Sequence, residues 1–152
     1  MIQVDSLIHA AWVVPIEPRN VVLPQHCIVI DQGRIVAVLP SSEAKSLYQA
    51  QQQIDLPQHV VCPGLVNLHG HSAMSLLRGL ADDLTLQTWL QQHIWPAEAK
   101  HVRDEFVEDG TLLAIVEMLR GGTTCVNDMY FYPEATARAL LTAGMRGTIG
   151  AA

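Results

Sequence analysis

From Leu56 onward, apolar β-branched runs alternate with helix-compatible stretches, and this alternation limits the possible folds more than any other feature. HVVCPGLVNLH is apolar without clean alternation, as expected of a strand buried on both faces. A helical region follows over residues 85–120, which Pro96 is expected to break into two helices, because proline disrupts a helix interior. In the second piece Val102, Phe106, Leu113, Val116 and Leu119 recur at helical spacing, predicting its apolar stripe, and Gly121-Gly122 ends it. TTCVNDMYFY predicts a second strand, Pro133 and Glu134 open a helix that Gly144 stops, and MRGTIGAA starts a third strand. Repeated βα units imply a parallel sheet with right-handed crossovers. A closed (β/α)8 barrel takes about 250 residues. At 152 residues the chain is expected to be the front part of something larger.

Residues 1–59 read differently. SLIHAAWVVPI predicts a strand ended by Pro15 and Pro18. The β-branched runs 27–30 and 35–39 flank Asp-Gln-Gly-Arg, where Gly33 supplies the positive φ of a hairpin turn. SSEAKSLYQAQQQ reads as a polar, helix-compatible connector that Ser42 can cap and that demands little burial. The expected organisation is a small antiparallel β unit over residues 1–59, then the βα units over residues 60–152.

Composition narrows the partners. The chain is 49% hydrophobic with a net charge of −6 and has no Lys/Arg cluster, which argues against nucleic acid or an anionic membrane surface. The longest stretch free of charged residues, 56–77, carries three histidines and two prolines, so it is a poor membrane span. Three dispersed cysteines without a CxxC pair suit a reduced protein, and the N-terminus has no positive region of a signal peptide. The expectation is a cytoplasmic protein acting on a small molecule, and an incomplete sheet with open edges favours homo-oligomers.

The chemistry concentrates in PGLVNLHGHSAMSLLRG, where His69 and His71 stand one residue apart. On a strand, residues i and i+2 point to one side, so two imidazoles can aim at one point, with Gly70 leaving room. Imidazole suits zinc, and also iron or nickel. The alternative is a loop with two solvated or hydrogen-bonded histidines. A cupin-type site fits poorly, since no acid follows His71 until Asp82. The remaining histidines offer few substitutes: His9, His26 and His59 fall in the β unit, and His93 and His101 read as helix-surface residues.

PGLVNLHGH resembles the opening signature of the amidohydrolase superfamily: proline–glycine, two apolar residues, Asn or Asp, and then HxH. HSAMSLLRGLADDLTLQTWLQQHIWPAEAK and GGTTCVNDMYFY extend the resemblance to the branch of adenosine-type and triazine deaminases. It is strongest to the 5-methylthioadenosine/S-adenosylhomocysteine deaminases. The resemblance implies the first βα units of a metal-dependent (β/α)8 barrel, preceded by part of a small β-sandwich. It also implies hydrolytic deamination by metal-activated water, with one divalent ion, zinc or another such as iron, held in part by His69 and His71. The family's further histidine, proton-shuttling glutamate and late aspartate are expected beyond Ala152, so no catalytic residue is assigned within the chain.

Glu98, in IWPAEAK, matches a glutamate that hydrogen-bonds ribose hydroxyls in nucleoside-deaminating members. Trp89 and Trp95 line the substrate pocket or serve as packing, and Asp128 supports the site or caps the next loop. Arg78 and Asp82-Asp83 read as loop structure, and Cys125 as a small core residue. Other ring substrates (guanine, cytosine, a triazine) and a non-catalytic fragment are the alternatives.

Overall fold

A computed structural model describes residues 1–151, which form two compact units, the first ending at Pro63 and the second beginning at Gly64. The first unit is built on β1 (Ile2–Val13), β2 (Leu23–Asp31), β3 (Arg34–Pro40), α1 (Ser41–Leu47) and β4 (Tyr48–Val61), with sheet order β3-β2-β1-β4. The β2–β3 hairpin turns at Gln32 and Gly33, both with positive φ (49° and 71°), the conformation a two-residue hairpin turn needs. Four expectations fail in this unit. The sheet is mixed, because α1 carries the chain across it and β4 pairs parallel with β1. The glutamine-rich stretch after Leu47 is strand, not helix, held by a ladder that runs from Ile2–Tyr48 to Val13–Val61. Ser42 is not the cap either; Pro40 precedes the helix and no side chain caps it. Ala44 is fully buried against Val4, Leu7, Cys27 and Val29, so α1 does bury a face, through its smallest side chain.

The second unit begins with β5 (Leu65–Gly70) and a 3-10 turn (Ser72–Leu77), followed by α2 (Leu86–Trp89), a π turn (Leu90–Ile94), α3 (Trp95–His101), α4 (Asp104–Arg120), β6 (Thr123–Tyr130), α5 (Pro133–Ala143) and β7 (Arg146–Ala151). The three strands lie in order β5-β6-β7 with parallel pairing throughout, as the βα alternation requires. The N-terminus of α5 opens on Pro133, whose missing N–H is an orphan at that position anyway. Gly144 closes the same helix at φ 65°, with Met145 N–H donating to the Leu140 carbonyl and Gly144 N–H to that of Leu141, a Schellman pair.

Pro96 does not break the helical region. The turn before it widens to π geometry, the Trp95 N–H reaching the Leu90 carbonyl, and Pro96 enters as the second residue of α3, within the first turn that tolerates proline. The chain instead breaks at Val102 and Arg103, which adopt extended backbone.

The buried stripe of α4 also differs from expectation. Leu113, Val116 and Leu119 are exposed, and the helix buries Val107, Gly110, Thr111, Ala114 and Ile115. Close approach explains the choice. A Cβ on Gly110 would lie 2.5 Å from the Ala73 carbonyl oxygen, so the 3-10 turn sits directly on the helix backbone where small residues permit it.

β5 is likewise not buried on both faces: Leu65, Val66 and Leu68 are 60%, 56% and 75% exposed. It pairs only with β6 among the described residues, so its outer edge and one face stay uncovered.

Replacing Gly110 with alanine in an open helix gains about 1 kcal/mol, whereas forcing a methyl into filled space costs typically 1–3 kcal/mol. Gly110→Ala is therefore expected to lower the urea midpoint, and a higher midpoint would refute the close contact.

Candidate active site

The site grows from the junction of β5 and β6. The pairing of these strands is irregular between Asn67 and Gly70. Within that irregularity Asn67 Oδ1 accepts from the His69 backbone N–H at 3.2 Å, a local side-chain turn that strand propensity alone does not reveal. His71 follows the strand and leads into the 3-10 turn. The simple i, i+2 strand geometry is thus replaced by a kinked strand end, yet the two rings still meet. Their centroids lie 4.9 Å apart, edge-on at 81°.

His71 Nδ1 lies 2.6 Å from the Met129 carbonyl oxygen. A carbonyl only accepts, so Nδ1 carries the proton and Nε2 keeps its lone pair. That is the usual second contact of a metal-binding histidine. Two imidazole nitrogens about 2.0–2.1 Å from a tetrahedral zinc place their ring centroids roughly 5 Å apart, so this pair fits two positions of such a site. Among the described residues no group of three or more His, Cys, Asp or Glu side chains gathers in a ligating arrangement.

Asp128, on β6, is almost fully buried. Its Oδ1 accepts from both the backbone N–H and the hydroxyl of Ser72, at 2.8 and 3.1 Å. It therefore anchors the first turn after His71, next to that imidazole, and not the loop that follows its own strand. Its Oδ2 has no partner among the described residues. Gly70 leaves room beside it, since a Cβ there would lie 3.2 Å from Asp128 Oδ1, a tight contact.

Beside the strand ends lies an open cavity of about 370 Å³, bordered by His71, Trp89, Trp95, Glu98 and Tyr130 together with apolar side chains. Sequence reasoning named four of these five separately, and the fold brings them to one place. His69 does not border the cavity. Trp89 donates its Nε1–H to the Leu80 carbonyl at 3.0 Å, which secures the loop and leaves the ring as cavity wall.

The residue that sequence reasoning missed is Tyr130. It is 5% exposed and donates its hydroxyl to Glu98 Oε1 at 2.7 Å. Burial, then the Glu98 hydrogen bond and charge, push the phenol pKa well above its ordinary value, so it stays protonated. The signal was the period of two along β6, where Val126, Asp128 and Tyr130 share the buried face.

The other candidates lie apart. His93 is half-buried in the π turn and His101 exposed at the end of α3; His9, His26 and His59 belong to the first unit. Arg78 makes two hydrogen bonds to Glu117, at 2.9 and 2.6 Å, while Asp82 and Asp83 lie in the loop before α2. Cys125 is half-buried, and all three cysteines are free. No described helix is long and apolar enough to cross a membrane.

The two histidines thus stand at the end of a parallel strand, and one of them, His71, borders the open cavity. Residues 60–152 match the model of the amidohydrolase family, and the chain belongs to that family. It is 53% identical over 146 residues to the 5-methylthioadenosine/S-adenosylhomocysteine deaminase of Saccharophagus degradans, covering 95% of this chain and 32% of that one. It is 43% identical over 145 residues to a 5′-deoxyadenosine deaminase of Methanosarcina barkeri, covering 95% and 32%. The crystal structure of an adenosine deaminase from Xanthomonas campestris with bound zinc superimposes with a TM-score of 0.95 at 51% identity, over 96% of this chain and 33% of that one. The chain thus spans about a third of the length of these relatives. Its fold is the opening βα units of the amidohydrolase barrel, together with the β unit that precedes them.

Removing the Asp128 carboxylate strips two donors at Ser72 of their acceptor, and hydrogen bonds to a charged group are worth about 1.5–3 kcal/mol. Asp128→Ala is expected to lose stability on that scale in chemical unfolding and Asp128→Asn less, since the amide oxygen still accepts. Equal stability of Asp128→Ala and the unaltered protein would show that the anchor contributes nothing.

Proposed function

We propose that the complete protein catalyses hydrolytic deamination of an adenosine-type thioether nucleoside, 5-methylthioadenosine or S-adenosylhomocysteine, releasing ammonia and the corresponding inosine. The supporting observation is the shared cavity of His71 and Glu98, separated by the Tyr130 ring. His69 and His71 would hold one divalent metal, zinc or another such as iron, and the ring spacing allows both to reach it. A zinc ion bound there supplies a water of lowered pKa for attack on the amino-bearing ring carbon.

Glu98 accepts hydrogen bonds from the vicinal ribose hydroxyls. Its Oε1 already takes the Tyr130 hydroxyl, and the remaining lone pairs suffice for both sugar donors. Trp89 and Trp95 provide aromatic wall for the nucleoside. The 5′-deoxyadenosine deaminase among the relatives acts, by its name, on a nucleoside that keeps the same ribose diol, so Glu98 serves either 5′ substituent. Guanine, cytosine and triazines have no ribose for Glu98 to bind, which ranks them lower.

Residues 1–59 form part of the small β-sandwich and residues 60–152 the start of the barrel. The exposed apolar face of β5 is covered in the complete protein, and association into homo-oligomers and a cytoplasmic location with reduced cysteines complete the proposal.

Conversion of adenine to hypoxanthine changes ultraviolet absorbance and reports the reaction directly. The zinc-loaded complete protein is expected to deaminate methylthioadenosine, and His69→Ala or His71→Ala to reduce turnover by about a thousandfold or more. No absorbance change with either thioether nucleoside would sink the substrate assignment.

A further inference from the structure

We propose that Tyr130 is a positioning residue for sugar recognition, its hydroxyl holding the Glu98 carboxylate in the orientation that receives two vicinal hydroxyls. The inference rests on the reading of Glu98 as the ribose acceptor and adds the group that makes it selective.

The geometry carries it. Glu98 sits on α3, a seven-residue helix entered through the π turn, and its side chain borders the cavity. A free glutamate side chain samples many rotamers and must give them up when it binds. Tyr130 removes that cost in advance. Its ring is packed among Ala73, Val107 and Ala135, with Val102 and Phe106 against the same cluster, so its hydroxyl is a fixed point. From that point it donates to Glu98 Oε1 across 32 positions of sequence at 2.7 Å. The phenol is held protonated by burial and by Glu98 itself, so the hydroxyl serves as donor and the carboxylate as acceptor.

Tyr130 also sets a distance. Its ring centroid lies 6.4 Å from that of His71, so one rigid side chain spaces the imidazole end of the cavity from the carboxylate end. Phe131 meets the Tyr130 ring edge-on at 5.1 Å and borders the same cavity, which limits tilting of the phenol. A glutamate held at fixed reach from the reacting end selects substrates by where their diol falls, in addition to whether they have one.

A tyrosine that merely satisfies a buried donor predicts a different result on mutation: all substrates would suffer alike. The test uses the zinc-loaded complete protein with methylthioadenosine and its 2′,3′-dideoxy analogue. Tyr130→Phe is expected to reduce the ratio of their kcat/KM values about tenfold, mainly through KM of the ribonucleoside. Glu98→Gln is expected to reduce it at least as far, and Tyr130→Phe added to Glu98→Gln to reduce it little further, because the tyrosine acts through the carboxylate. If Glu98→Gln collapses the ratio while Tyr130→Phe leaves it unchanged, the positioning role is wrong and the ribose reading stands. If Glu98→Gln leaves the ratio unchanged, the ribose reading itself fails.

Discussion

The second unit depends on a short cross-link between the ends of two parallel strands. His71 donates Nδ1–H to the Met129 carbonyl at 2.6 Å, and Ser72, one residue on, donates its backbone N–H to Asp128 at 2.8 Å. Two consecutive residues leaving β5 are therefore tied to two consecutive residues of β6. The first bond fixes the imidazole tautomer and leaves Nε2 free. The second starts the 3-10 turn that seats Ala73 on the backbone of α4 at Gly110. Tyr130, the next residue of β6, is placed by the same register and carries the link on to Glu98. The orientation of the His71 imidazole, helix packing and the far wall of the cavity thus share one origin.

Magnitudes separate what holds this region from what decorates it. The pairs of Arg78 with Glu117, and of Arg138 with Asp104 and Glu108, lie near the surface, where such bonds contribute little. The Ser72–Asp128 hydrogen bonds are buried, and losing one partner there leaves the other unsatisfied at full desolvation cost, while the Tyr130–Glu98 bond is part-buried at the cavity edge. Polar groups placed so deep beside a cavity are costly unless used, which suits support of a binding site better than stability alone.

Local signals in the sequence were the ones that proved legible. Gly33 in the hairpin, Pro133 and Gly144 at the ends of α5, and the βα alternation each report a constraint carried by neighbouring residues. The HxH pair was equally visible, and the surrounding signature pointed to the family that the comparison shows. What stayed hidden was set by partners distant in sequence. Pro96 looked like a break because the π turn that absorbs it has no sequence marker of its own. The apolar stripe of α4 pointed to Leu113, Val116 and Leu119, but contact with Ala73 selected the small residues instead. The glutamines of β4 have no strand preference and are recruited by β1 beside them. Tyr130 meets Glu98 only because β6 and α3 converge, which no spacing in the sequence records.

The central claim is that His69 and His71 share one metal ion, with His71 binding through Nε2 because Met129 holds its other nitrogen. Anomalous scattering at the zinc edge from crystals of the complete protein tests this directly. The account predicts one strong peak about 2.0–2.1 Å from His71 Nε2 and from a ring nitrogen of His69. A peak at another set of residues, or a His71 ring bound through Nδ1, would contradict it.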